Sequence, residues 1–141
     1  MIYDEAIGMF TSKVSRKMMR HVTLILEKYD ITAEQWNVLL RLSDNEKINQ
    51  KQLSEKTGKD QPTVARILDI LERKELIVRQ LSKEDRRAFL VCITEKGRKY
   101  AEEIEPFVEE NFKKMLEGVP QEEIDIYLKV LTKIEENIDK L

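Results

Sequence analysis

The chain has 141 residues, of which 41% are hydrophobic and 37% charged, and its formal net charge is −2. This length suits one domain with its own core, and the charge content is typical of a helical protein with many surface ion pairs. No apolar run reaches the roughly 20 residues that a membrane span needs. The N-terminus has no basic segment followed by an apolar core, so we expect no signal peptide, no membrane partner and a cytoplasmic location.

The single cysteine and the single histidine limit the chemistry of the chain. Cys92 has no second cysteine with which to form an intrachain disulfide, and Cys92 with His21 does not make a Cys/His zinc site. No arrangement of nucleophile and base suits catalysis. We therefore expect no metal, no cofactor and no catalytic residue. Cys92 follows an apolar residue in a β-prone run and is predicted to be a buried structural thiol.

The net charge hides a basic middle segment. Residues 56–99 carry 12 basic and 7 acidic side chains, a net charge of +5, whereas residues 100–141 carry 5 basic and 12 acidic side chains, a net charge of −7. A basic segment is the electrostatic footprint expected of a nucleic-acid binder, but runs of charge also occur on ordinary solvated faces.

The first 29 residues predict one long amphipathic helix, because their apolar residues recur at spacings of three and four. This helix is predicted to end at Asp30. Thr32 with Gln35 then matches the capping-box pattern, which predicts that a second helix starts here with Trp36 on its buried face.

A helix-turn-helix is predicted at about residues 50–74. Asn49 begins a second capping-box pattern before a short helix, and Gly58 suits the position after its end. Asp60 is expected to cap the following helix, whose first turn accommodates Pro62 because the N–H that proline lacks has no partner there. The buried stripe of this second helix is predicted to be Val64, Ile67, Leu68 and Leu71.

A β-hairpin is predicted from two β-prone runs, 77–81 and 88–93, on either side of a charged turn. Thr94 is expected to cap a helix that runs toward Gly118, with Pro106 kinking or breaking it. A last helix is predicted to start near Pro120.

The second helix of the helix-turn-helix is a candidate DNA reader, since the first residues of such a helix meet base edges. Gln61 can pair with adenine and Arg66 with guanine. The same side chains also fit an ordinary surface, with Arg66 paired to Asp69 one turn along. The candidate contact residues are Gln61, Pro62, Thr63, Arg66 and Arg73.

The turn of the hairpin favours the DNA interpretation. A surface turn does not need two adjacent arginines, whereas arginine is attracted by the negative potential of a narrow minor groove. Asp85 can fix Arg87 by pairing with its guanidinium, although a simple exposed ion pair is the alternative. The candidate contact residues here are Lys83, Asp85, Arg86 and Arg87.

Five segments together resemble the MarR family of winged-helix transcription regulators: residues 31–36, 52–58, 63–77, 83–87 and 90–97. The resemblance implies a mainly α fold with a small β-hairpin wing, organised as a single domain over 1–141. Within it, residues 31–99 would form the winged helix-turn-helix lobe, with the helix-turn-helix at about 50–74 and the wing at about 77–93. Residues 1–29 and 100–141 would supply dimerisation helices.

The same resemblance implies a homodimer that binds a pseudo-palindromic operator in double-stranded DNA. Members of the family often act as repressors and are often released by small aromatic ligands or by oxidants. The apolar stripes of the terminal helices call for a partner surface, although the two helices can also cover each other within one chain. The alternative function is a helical protein–protein adaptor without specific DNA binding. Residues that could line an effector pocket, each also explained as core, are Tyr3, Phe10, Met18, Trp36 and Phe107.

Three positions depart from the family pattern. Gln61 and Pro62 stand where the family often has serine and arginine, so no base preference is carried over. Glu75 stands where a glycine often precedes the wing.

Overall fold

The computed structural model describes residues 1–44, 47–84 and 89–141. The chain forms two compact units, Met1–Val108 and Glu109–Leu141. Within the described residues, no helix is both long enough and apolar enough to cross a membrane.

The predicted first helix is present in three parts. A π-helical turn at Asp4–Met9 leads into α1, Phe10–Ile25, and a 3-10 turn at Glu27–Tyr29 follows. Asp30 then adopts a left-handed conformation with φ 52°. Since a left-handed residue cannot continue a right-handed helix, the chain turns at the predicted position.

The second helix, α2, spans Ala33–Ser43, and its capping box is confirmed. Thr32 Oγ1 accepts a hydrogen bond from the backbone N–H of Gln35, whose side chain accepts from the backbone N–H of Thr32, both at 3.2 Å. These bonds satisfy amide groups that an uncapped helix would leave without partners. The buried face of α2 consists of Ala33, Trp36, Val38, Leu39 and Leu42.

The helix-turn-helix is also confirmed. Helix α3 spans Gln50–Thr57 and ends at Gly58, which has φ 67°, and α4 spans Gln61–Arg73. Glycine suits this turn because it has no Cβ to oppose a positive φ. The predicted stripe of α4 is buried: Val64, Ile67, Leu68 and Leu71.

The chain also forms a three-stranded antiparallel sheet, with one strand before the helix-turn-helix and two after it. Strands β2, Ile77–Leu81, and β3, Phe89–Ile93, form the predicted hairpin. Strand β1, Ile48–Asn49, was not predicted, and it pairs with β3 to give the order β1-β3-β2. These observations define a winged helix-turn-helix, in which β2 and β3 are the wing.

The prediction that Cys92 is buried is wrong, because its side chain is only half-buried. Its neighbour Val91 occupies the buried position of β3, and successive side chains of a strand point to opposite faces. Cys92 therefore lies on the other face of the hairpin.

Helix α5 spans Glu95–Met115 and continues through Pro106. Of the predicted kink or break at this proline, the break is therefore wrong. Ile104 and Val108, on either side of the proline, are buried. In the second unit, α6 spans Gln121–Asp139 and begins directly after Pro120, as predicted.

The start of α5 is bonded to the chain that follows α4. Thr94 Oγ1 accepts from the Gly97 N–H at 2.9 Å and donates to the Glu75 carbonyl at 2.8 Å, and the Thr94 N–H donates to the Leu76 carbonyl at 3.0 Å. Glu75 itself has φ 63°, which explains why glycine would be favoured there. We refer to residues 74–76 with 94–97 as the α4–α5 junction.

We expect the substitution Gly97→Ala to lower the free energy of unfolding by about 2 kcal/mol, because overpacking at a fixed backbone contact is costly. An added Cβ would overlap the Leu76 carbonyl oxygen and approach Ile93 Cγ1 to 2.8 Å. Urea unfolding measures the change. Gly8→Ala is the matched control, since its Cβ would meet only the side-chain oxygen of Asp4 at 3.1 Å. Equal stability of the two variants would contradict the junction contact.

Candidate nucleic-acid interface

The first turn of α4 presents polar groups to solvent. Gln61 and Pro62 are exposed, and Thr63 is half-buried. The turn is fixed from two sides: Asp60 Oδ1 accepts from the Thr63 N–H at 2.8 Å, and Gln50 Nε2 of α3 donates to the Gln61 carbonyl at 3.3 Å. The side chains available for recognition therefore stand on a backbone whose position is already set.

The Asp60 carboxylate is stabilised by its capping role. Hydrogen bonds from the backbone and side chain of Thr63 are the main causes that lower the pKa of Asp60 below its ordinary value, and the positive charge of Arg66 adds to the effect. Asp60 is thus a fixed negative charge beside the exposed end of α4.

Arg66 and Arg73 lie on the exposed side of α4, opposite its buried stripe. The pairing of Arg66 with Asp69 that the sequence allows does not form, because Asp69 pairs with Arg79 instead. Within the described residues, Arg66 makes no hydrogen bond or ion pair, so its guanidinium is available for an external acceptor. Arg73 Nε donates to the Asp69 carbonyl at 3.5 Å.

Arg79 joins the wing to the recognition helix. From β2, its Nη2 donates to Asp69 Oδ1 at 2.6 Å and to the Ala65 carbonyl at 3.3 Å. The Arg79 side chain is 23% exposed, and its Nε is buried without a hydrogen-bond partner among the described residues. A charge-assisted bond that is partly shielded from water is stronger and better defined than one on an open surface. We call this contact the Arg79 clamp. Sequence reasoning missed it, although its signal was a charged residue on the same strand face as Ile77 and Leu81.

Of the predicted wing contacts, Lys83 is exposed beyond the end of β2. Asp85, Arg86 and Arg87 lie outside the described residues, as does the first residue of the run predicted at 88–93.

The five residues predicted to line an effector pocket differ in their surroundings. Tyr3 and Phe10 are exposed and Met18 is half-buried, whereas Trp36 is buried in the core. Phe107 packs edge-on against Tyr29, with ring centroids 5.6 Å apart. Periodicity identified them as apolar but did not indicate which side chains converge.

A cleft of about 560 Å³ lies between α1 and the start of α2. Its lining combines three hydroxyl groups, two cationic side chains, one carboxylate and two apolar side chains, and it includes none of the five predicted residues. The lining residues are Ser15, Arg16, Met19, Arg20, Thr23, Thr32, Ala33 and Glu34. Within the described chain, no group of three or more histidine, cysteine or acidic side chains is arranged to hold a metal ion.

Comparison with known proteins agrees with the fold. Residues 31–89 match the MarR family. MepR of S. aureus, solved as a complex with DNA, is 27% identical over 93% of this chain and 97% of its own, with a TM-score of 0.82. CouR of Rhodococcus jostii RHA1, solved with p-coumaroyl-CoA, is 25% identical over 91% of this chain and 90% of its own, also with a TM-score of 0.82.

A protein of unknown function from Listeria innocua Clip11262 is 38% identical over 96% of this chain and 94% of its own, with a TM-score of 0.70. The sequence match and the structural matches lead to one conclusion. The chain belongs to the MarR family of winged-helix transcription regulators.

The lowered pKa of Asp60 predicts a pH dependence of stability. Because the folded state holds the proton less readily than the unfolded state, the carboxylate stabilises the fold above its ordinary pKa of 3.8, and this stabilisation is lost as the pH falls through the lowered value. Asp60→Asn keeps a capping oxygen but does not titrate. We expect the wild type to exceed this variant in unfolding free energy at pH 5.5 and the difference to shrink toward pH 3. A difference that stayed constant across this range would contradict the capping role.

Proposed function

We propose that this chain is a homodimeric repressor that binds a pseudo-palindromic operator with the first turn of α4 in the major groove and the wing on the adjacent minor groove. The observation that carries the proposal is Arg66. It stands exposed on α4 without a hydrogen bond among the described residues, beside a first turn whose backbone is held by Asp60 and Gln50.

The chemistry of each group supports a division of roles. Arg66 can donate two hydrogen bonds to a guanine edge and Gln61 can pair with adenine, so both would read bases. Thr63 would contact a phosphate or a thymine methyl. Lys83, together with Arg86 and Arg87, would supply positive charge to the minor groove, where a narrow width concentrates negative potential.

Exposed apolar side chains near both ends of the chain support dimerisation, since large exposed apolar patches mark interaction surfaces. In the first unit they include Ile2, Tyr3, Ile7 and Phe10, and in the second unit Ile126, Tyr127, Leu128, Val130 and Ile138. A two-fold dimer would place two α4 helices on successive turns of one DNA face, about 34 Å apart.

We propose further that a small aromatic effector releases the operator. The cleft between α1 and α2 has a volume typical of small-molecule sites, which span roughly 300–1,000 Å³. Arg16 and Arg20 at its wall suit an acidic group, and Met19 suits an apolar ring. CouR, a protein of similar fold, was solved bound to p-coumaroyl-CoA, a ligand that contains an aromatic group.

The role of Arg66 can be tested against Arg73, which stands at the opposite end of the same exposed face. We expect Arg66→Ala to change base preference at one position of each half-site by about 1–3 kcal/mol. Arg73→Ala should instead weaken binding to all sequences and reduce the dependence of affinity on salt, as expected for a phosphate contact.

The measurement is fluorescence anisotropy with duplexes in which each base pair is replaced in turn. If Arg66→Ala lowered affinity equally for every duplex, its base-reading role would be wrong. If the wild type failed to bind any duplex at low salt, the adaptor function would be favoured instead.

A further inference from the structure

Two large apolar side chains stand exposed on the wing. Leu81 at the end of β2 is 57% exposed and Phe89 at the start of β3 is 52% exposed. They are direct partners in the antiparallel register, so their side chains are neighbours on one face of the hairpin. We call them the wing pair. Their exposure costs solvation free energy.

The register of the strand places the wing pair beside the recognition helix. Strand β2 runs antiparallel to α4: the Leu76 N–H donates to the Leu71 carbonyl, and Arg79, three residues on, reaches back to Ala65 and Asp69. Leu81 points to the same face as Arg79, because side chains two residues apart share a face.

The direction of the strand shows toward which end of the helix the wing pair lies. Leu81 lies two residues, about 6.6 Å, beyond Arg79 along β2, and β2 runs from the C-terminal end of α4 toward its N-terminal end. The wing pair therefore lies beyond Arg79 in the direction of the first turn of α4.

We infer that the wing pair packs against the deoxyribose sugars that line the groove next to the one α4 enters. Sugars are the apolar component of the DNA backbone, and apolar side chains are used in minor-groove contacts. Lys83, two residues beyond Leu81, would meet a flanking phosphate, so its charge fits the same occupant. This inference rests on the proposed function, and it extends the DNA contact to two residues without charge or hydrogen-bonding groups.

The double substitution Leu81→Thr and Phe89→Thr tests the inference. Threonine suits a strand, and both sites are exposed, so the fold should persist. We expect affinity for a 40-base-pair duplex, selected by the wild type from a random pool, to fall about tenfold. The slope of affinity against salt concentration should stay unchanged, because apolar contacts release no counterions. By contrast, Lys83→Ala should reduce that slope by about one.

Val78→Thr is the matched control. Val78 is 40% exposed on the same strand, but alternation places it on the opposite face, so its replacement should leave affinity unchanged. Equal affinity of the double variant and the wild type would overturn the inference, as would an equal loss in the control. A changed sedimentation coefficient of the double variant without DNA would show that the pair contacts a second copy of the chain, and this too would overturn it. If the wild type selected no duplex, the proposed function would fall, and this inference with it.

Discussion

The geometry of the interface depends on the Arg79 clamp. A two-stranded hairpin has little stability of its own, and here backbone pairing with β1 holds β3 to the rest of the lobe. Arg79 adds a direct link from β2 to the recognition helix, because one guanidinium nitrogen contacts both the Asp69 carboxylate and the Ala65 carbonyl of α4. The wing and the recognition helix are thereby held as one surface. For a protein that reads two neighbouring grooves, this reduces the ordering that DNA binding would otherwise require.

The C-terminal end of α4 is held by a different set of contacts. At the α4–α5 junction, Thr94 caps α5 while bonding to the carbonyls of Glu75 and Leu76, and Lys96 Nζ donates to the Lys74 carbonyl at 3.0 Å. Carbonyl groups at the end of a helix need such partners. The absence of a side chain at Gly97 allows the two backbones to approach closely. The recognition helix is therefore anchored by α5 at its C-terminus and aligned with the wing at its middle, and its first turn is held by Asp60 and Gln50.

Local signals in the sequence predicted most of the fold. The two capping boxes at Thr32 and Asn49, the left-handed Gly58 and the cap at Asp60 each involve residues within a few positions of one another. Strand β1 was missed because its two residues gain strand structure only by pairing with β3, more than 40 positions away.

The site was predicted less completely, for the same reason. Spacing along α4 identified its exposed face, including Arg66, but the partner of Asp69 is determined by how β2 crosses the helix. From the sequence, the candidate partner of Asp69 was Arg66, one turn away on the same helix. In the structure, Asp69 pairs with Arg79. Periodicity likewise indicated that Trp36 and Phe107 are apolar, yet one is buried in the core and the other packs on Tyr29. Which side chains line a cleft depends on packing between helices, which no local pattern encodes.

The central claim is that the protein is a symmetric dimer that contacts two neighbouring grooves of DNA. Its most direct test is selection of bound duplexes from a random pool, followed by sequencing. The account predicts two inverted half-sites whose centres lie about ten base pairs apart, with a further preference for narrow-groove, A·T-rich sequence beside each half-site where the wing would lie. A selected motif without two-fold symmetry, or enrichment of no motif at all, would contradict it.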